Sequence, residues 1–215
     1  MEAQKEVQFQ WYALKIFYNK VFEAEYLLGP YCEEVYIPAR KVRLKGEEYS
    51  RALRRLSTPD DGRIDTMYVH EGPYLCRRQP VVTSLMFIRI AEASLPLIHK
   101  AIEGMGFIYR DSEWKRFAVI PDKQMSMFRM VVSSGDEGLE FFADDEMTRY
   151  RQGAKVRVKE GILQGAEGYI KRIRKDRRLL VAIDGFIAVA TSYIPPHMLE
   201  IIEEAPEKPG TPDNA

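Results

Sequence analysis

The side chains that could do catalysis are few in this chain, and they do not gather. Its three histidines, His70, His99 and His197, stand far apart with no paired ligands at metal spacing. Cys32 and Cys76 also lack metal-ligand spacing and a neighbouring histidine, and two free thiols are a simpler account than a disulfide. The carboxylate pairs Asp60 with Asp61 and Asp144 with Asp145 fall in turn and linker composition, where a solvated acidic loop explains them without general acid–base work. There is neither a GxSxG nucleophile elbow nor a phosphate-binding glycine loop with Lys and Ser or Thr. These residue types predict no enzyme, no metal and no cofactor. The chemistry they leave open is binding.

The best binding stretch interleaves cations, valines and glycines. Residues 153–170 read GAKVRVKEGILQGAEGYI. Val156 and Val158 alternate with Lys155, Arg157 and Lys159, the period-two signature of a strand with one buried face. Gly161, Gly165 and Gly168 come next at spacings of four and three, after Gly153 at the start. Glycine supplies positive φ and close backbone approach, which suits the sharp turns of a very small barrel. Lys171, Arg172 and Arg174 continue the basic run. Residues 151–200 hold ten Lys or Arg against five acids, a net of +5, although the whole chain carries 32 of each sign and no net charge. These cations suit phosphate or an acidic protein surface, and a solvated basic face is the plainer alternative.

The elements that must position these residues emerge from periodicity. The chain has 215 residues, 46% of them hydrophobic, enough for two small domains. The first ten residues hold no apolar run like a signal peptide, and no stretch approaches the roughly 18 apolar residues of a membrane span. A soluble, cytoplasmic monomer without a membrane partner is expected. Residues 11–17 predict a strand, and Asn19 caps a helix carrying Val21, Phe22, Tyr26 and Leu28, stopped at Gly29 and Pro30. A second strand starts at 34–38 and continues through Val42 and Leu44. Residues 46–79 form an extended insertion, with a short helix around 48–56 that sets Arg51, Arg54 and Arg55 on one side and a small hairpin at 67–69 and 74–75.

Residues 80–90 read as the central strand. Ser94 caps a helix with Leu97, Ile98, Ala101 and Ile102, and residues 106–110 form another strand. Asp122 caps a last helix bearing Met125, Phe128 and Val132. The order predicts an α+β protein whose first domain, residues 1–133, is a ferredoxin-like split βαβ arrangement. Residues 134–149 form an acidic linker in which Phe141 and Phe142 stand out. Strands at 169–173, 179–183, 186–191 and 197–202 complete a small SH3-like barrel over 150–203, with a hairpin at Asp184 and Gly185. Residues 204–215 are a flexible, proline-bearing tail.

The glycine stretch resembles a KOW motif. A split βαβ domain beginning Trp11, Tyr12, with a linker and a KOW barrel after it, resembles the NusG family of transcription elongation factors from Trp11 to about Ile202. Ile37 with Pro38, residues 80–90 and Met105 to Ile108 carry the likeness further, and the lengthened insertion resembles the RfaH and UpxY antiterminators. The resemblance implies an NGN domain that binds the clamp helices of the largest RNA polymerase subunit, with Leu85 and Phe87 in the contact and Tyr12 and Lys15 nearby. Core burial of Leu85 and Phe87 is an equal alternative. Tyr18 and Lys20 match a region facing non-template DNA in RfaH-type proteins, and a solvated turn is at least as good an account of them. The KOW barrel, in such proteins, recruits termination factor Rho, a small-subunit ribosomal protein or RNA. An antiterminator of particular long operons, such as those for polysaccharide synthesis, is the implied role; an RNA-binding or ribosome-associated KOW protein is the alternative. The chain departs from the family at Val81 to Leu85, where a second proline and an aromatic are usual, and at Leu95 to Ile98, which replace a threonine patch used against the second-largest subunit.

Overall fold

The computed structural model describes residues 8–57, 66–111, 116–143, 153–173 and 175–204. The chain divides into two units, Met1–Asp122 and Lys123–Ala215. Both mix helices with antiparallel sheet.

The first unit begins with β1 (Phe9–Ile16), α1 (Val21–Leu28) and β2 (Glu34–Tyr36). The strand expected through residue 44 breaks at Ile37 and Pro38, since proline offers no N–H to a ladder. Beyond the break, β3 (Ala39–Arg43), α2 (Gly46–Ser57), β4 (Tyr68–Glu71) and β5 (Tyr74–Pro80) build the insertion, whose strands form a separate three-stranded sheet of order β3-β5-β4. The expected strand at 80–90 is likewise two pieces. Pro80 ends β5, a turn closed by the Leu85 N–H donating to the Val82 carbonyl at 3.3 Å intervenes, and β6 runs Leu85–Ala91. Then come α3 (Leu95–Ala101), β7 (Gly106–Ile108) and β8 (Val119–Ile120). The principal sheet has the order β2-β6-β1-β7, with β8 pairing β1.

Alternation along β1 and β6 fixes the core. Tyr12, Leu14 and Ile16 pack with Met86, Ile88 and Ile90 against Val21, Ala24 and Leu28 of α1 and Leu95 and Ile98 of α3. Two expected caps do not form. Asn19 takes a left-handed φ of 57° and Lys20 precedes α1 instead, while Ser94 makes no side-chain cap bond to α3. The insertion has its own small core of Leu44, Ala52 and Leu75, with Leu56 and Tyr68 against it. It is tied to α1 by Arg78, whose guanidinium donates to both Glu25 carboxylate oxygens at 2.7 and 3.0 Å. Both side chains are mostly buried, at 18% and 14% exposure.

The second unit holds α4 (Asp122–Val132), which starts at the division, then β9 (Glu140–Ala143), β10 (Lys155–Val158), β11 (Glu167–Ile173), β12 (Asp176–Ile183), β13 (Ile187–Tyr193) and β14 (Leu199–Glu203). They form one sheet of order β14-β10-β11-β12-β13-β9. On α4 the buried set is Met125, Phe128 and Val131, with Val132 half-exposed. The acidic segment expected to be a linker supplies β9, which pairs with β13, and Phe142 packs on Leu180, Ala188 and Ala190. Asp136 staples the approach. Its carboxylate accepts from the Ser192 N–H at 2.6 Å and the Gly138 N–H at 2.8 Å. Burial pushes the Asp136 carboxyl up, but these bonds, that of the Ser192 hydroxyl and the nearby Arg178 charge hold it below its usual value overall. The glycine spacing has two causes. Gly165 turns at φ +86°, and a Cβ on Gly168 would lie 2.2 Å from the Leu180 carbonyl oxygen.

Candidate nucleic-acid interface

The contact residues expected from the sequence sit in three different environments. Tyr12 faces the helix-side core, where its hydroxyl donates to Gln10 Oε1 at 2.9 Å. Burial, with the Glu92 charge, pushes its phenol up. Lys15, Leu85 and Phe87 are offset by one residue from that core-facing set and so share the opposite sheet face. Lys15 is half-buried, Leu85 is 5% exposed and Phe87 is 0% exposed, with the Tyr36 ring 6.3 Å from that of Phe87. Tyr12 is therefore not brought together with the other three, and neither Leu85 nor Phe87 offers free apolar surface.

Around the end of β1 the surface is different. Lys15 stands opposite Leu85 on one side and Phe107 on the other, so the three make one cross-strand row. Phe17 lies 5.9 Å from Phe107 and 6.2 Å from Tyr18, and Phe107 lies 5.3 Å from Tyr109. Tyr18 is 81% exposed. Tyr18 and Asn19 both take φ of 57°, a conformation disfavoured by roughly 1–2 kcal/mol for a residue with a Cβ. Asparagine tolerates it; a tyrosine there is uncommon. The turn closes when the Lys20 N–H donates to the Phe17 carbonyl at 3.2 Å, and Lys20 pairs with Glu23 at 3.3 Å. A depression of about 390 Å³ is lined by Lys15, Ile16, Phe17, Tyr18, Asn19 and Ser84. Chemically this is a cation beside exposed rings, a combination that accepts stacked bases along a phosphate chain. Sequence reasoning did not single out Phe17 or Phe107. The first adjoins Tyr18, but the second reaches the site only through the β1–β7 register.

The cations of the second unit are placed otherwise. Lys155 donates to Glu203 at 2.8 Å, and Arg157 donates to Glu167 at 2.8 Å and lies 3.6 Å from Glu200. Lys123 of α4 reaches Glu167 as well, at 2.6 Å. Hydrogen bonds from Lys123 and Arg157 hold the Glu167 carboxyl below its usual range, and the bond to Glu203 raises Lys155. Lys159 is exposed, Lys171 has a partner, and Arg172 donates to the Lys175 carbonyl at 3.5 Å. Arg174 lies outside the described residues, as do Asp60, Asp61, Asp144 and Asp145.

Cys32 and Cys76 are free thiols, and burial pushes that of Cys32 up to about 11. Among the described residues no group of three or more His, Cys, Asp or Glu side chains is placed to hold a metal ion. No helix among them is long and apolar enough to cross a membrane.

No protein-family model matches the chain, and no curated protein matches it. Among solved structures, one described as "Domain interaction in Thermotoga maritima NusG" aligns at 13% identity and a TM-score of 0.44, covering 91% of this chain and 98% of that one. A likeness at that level carries no argument about what this chain does.

Proposed function

We propose that the chain is a NusG-type regulator of transcription elongation or antitermination, acting as a binding protein and not as an enzyme. The observation that carries this reading is the aromatic and lysine surface at the end of β1. Tyr18, Phe17 and Phe107 beside Lys15 suit an unpaired strand, and non-template DNA in a transcribing complex is such a strand. The strand order β2-β6-β1-β7 supports a split βαβ domain, and the glycine positions of the second unit support a KOW barrel. The first domain then engages RNA polymerase. A clamp-helix contact through Leu85 and Phe87 requires their sheet face to open, because both are buried.

For the barrel a protein partner, Rho or a small-subunit ribosomal protein, suits the surface better than RNA. Lys155 and Arg157 are already engaged by carboxylates, while Ile162 is 75% exposed and Tyr193 54% exposed.

The test is a gel shift of purified elongation complexes, with and without an accessible non-template strand. Wild-type chain binds the first better. Tyr18→Ala with Phe107→Ala weakens binding about tenfold or more, since stacking contributes about 1–3 kcal/mol per base. Unchanged binding by a folded double variant sinks the surface, and no binding to polymerase in any form sinks the reading.

A further inference from the structure

The turn between β11 and β12 carries charge that the fold leaves unneutralised. Register sets Lys171 opposite Arg178 and Arg172 opposite Arg177, so cations meet cations across the ladder. Like charges directly opposite each other destabilise a sheet. The first pair is relieved within the fold: Arg178 donates to Glu140 at 3.0 Å and is 13% exposed, and Lys171 has a partner too. The second pair is not relieved. Arg172 and Arg177 are both exposed. Among the described residues Arg177 meets no carboxylate, and the one bond of Arg172 runs from Nε to the neutral carbonyl of Lys175 at 3.5 Å. Lys175 is exposed at the turn, where it holds a left-handed φ of 87° that glycine or asparagine takes more easily. Asp176 comes next, but alternation along β12 turns it to the opposite face from Arg177. Arg174 belongs to the same turn and lies outside the described residues.

We propose that Arg172, Lys175 and Arg177 form a docking site for an acidic segment of a partner protein, one that offers closely spaced carboxylates. The site lies at the other end of β11 from the exposed Ile162. Charge complementarity carries the assignment. Residues directly opposite on neighbouring strands hold their Cβ atoms about 4.5–5.5 Å apart, so two arginine forks converge on one small region. Each fork matches a carboxylate with two parallel hydrogen bonds, and an anion between the two relieves their repulsion. An RNA strand fits less well. Its backbone gains affinity from successive phosphates, and the cations that would extend the track, Lys171, Arg178, Lys155 and Arg157, already have partners. A strand also stacks its bases on open rings, and the exposed Tyr193 stands opposite Arg178, on the other face of the hairpin from the arginine pair. The proposal rests on the reading of the barrel as a module that recruits a protein, and it names the chemistry of that partner. Its test uses no polymerase, so the two fail separately.

The experiment is an NMR titration of the isotope-labelled full chain with a peptide of about six consecutive glutamates, at about 50 mM salt, where exposed charges are weakly screened. Amide shifts should concentrate at residues 171–178. Arg172→Gln with Arg177→Gln is expected to weaken binding about fivefold or more. Lys155→Gln with Arg157→Gln leaves it within about twofold, because those cations are already partnered. Arg177→Gln alone should raise the urea midpoint of the free chain while it weakens the peptide, a split that a merely structural arginine would not show. If the double variant is unfolded, Arg177→Gln is read in the same titration for a loss of about twofold or more. The proposal is overturned by no peptide binding, or by a folded variant that binds as tightly as the wild type. A lower urea midpoint for Arg177→Gln also overturns it, since the arginine pair would then support the fold. So does tighter binding of an oligouridylate of the same length, which would give the hairpin to RNA.

Discussion

Arg157 on β10 and Arg51 on α2 carry the same charge among different neighbours. Arg157 has Glu167 opposite it on β11 and Glu200 opposite it on β14. Lys155, two residues earlier, faces Glu203. Cross-strand register thus delivers a carboxylate to each cation from a distant part of the chain. On α2 Arg51 meets Glu47 of the first turn only at 4.0 Å, and the residue four places on is Arg55, another cation. The charge of Lys155 and Arg157, conspicuous in the sequence, is spent internally. A count along the chain gives the sign of a segment; only pairing gives the field it shows to a partner.

The contrast extends to stability, and the largest expected effect lies in the first unit. Arg78→Met leaves Glu25 mostly buried without its partner, which is expected to cost about 3–5 kcal/mol in a urea melt. Adding Glu25→Leu should recover most of that loss, because it is the uncompensated charge that destabilises. A double variant as unstable as the single one breaks this account.

A smaller effect separates the second unit by pH. Glu167 and Asp136 have folded pKa values below their ordinary 4.5 and 3.8. A carboxyl depressed by folding stabilises the fold above its unfolded value, and that contribution is lost as pH falls through the folded one. The urea midpoint of the second unit should therefore drop from about pH 5 downward, and Glu167→Gln with Asp136→Asn should flatten the drop. An identical acid slope in the variant counts against the role given to these hydrogen bonds. Smallest of all is Lys155→Met. It removes an exposed ion pair and should change stability by less than about 1 kcal/mol. A larger loss would mean that this pair is more than surface pairing.

Where residues act locally, the sequence was readable. The i, i+3, i+4 arginines placed α2 within two residues of its observed start, and the glycine spacing anticipated both a positive-φ turn at Gly165 and close approach at Gly168. What failed depended on distant or competing contacts. The apolar run at 80–90 looks continuous, yet Pro80 finishes its pairing with Ala39 in one sheet before Leu85 begins in another. Asn19 has the side chain of a cap, but the tight turn after β1 takes its backbone left-handed. The burial of Leu85 and Phe87, left open by their spacing, belongs to tertiary packing. Phe107 joins Phe17 only because β7 pairs with β1, some ninety residues away in the chain.

The strand Glu140–Ala143 has one more effect. Without it, β13 would end the sheet with seven residues, Ile187–Tyr193, rich in β-branched and apolar types. Long apolar edges recruit strands from other molecules. With β9 in place the sheet ends instead in four residues begun by Glu140, which the Arg178 guanidinium holds at 3.0 Å. The acidic segment before the glycine motif thus acts as a guard against self-association, and a fragment begun at residue 150 would lack it.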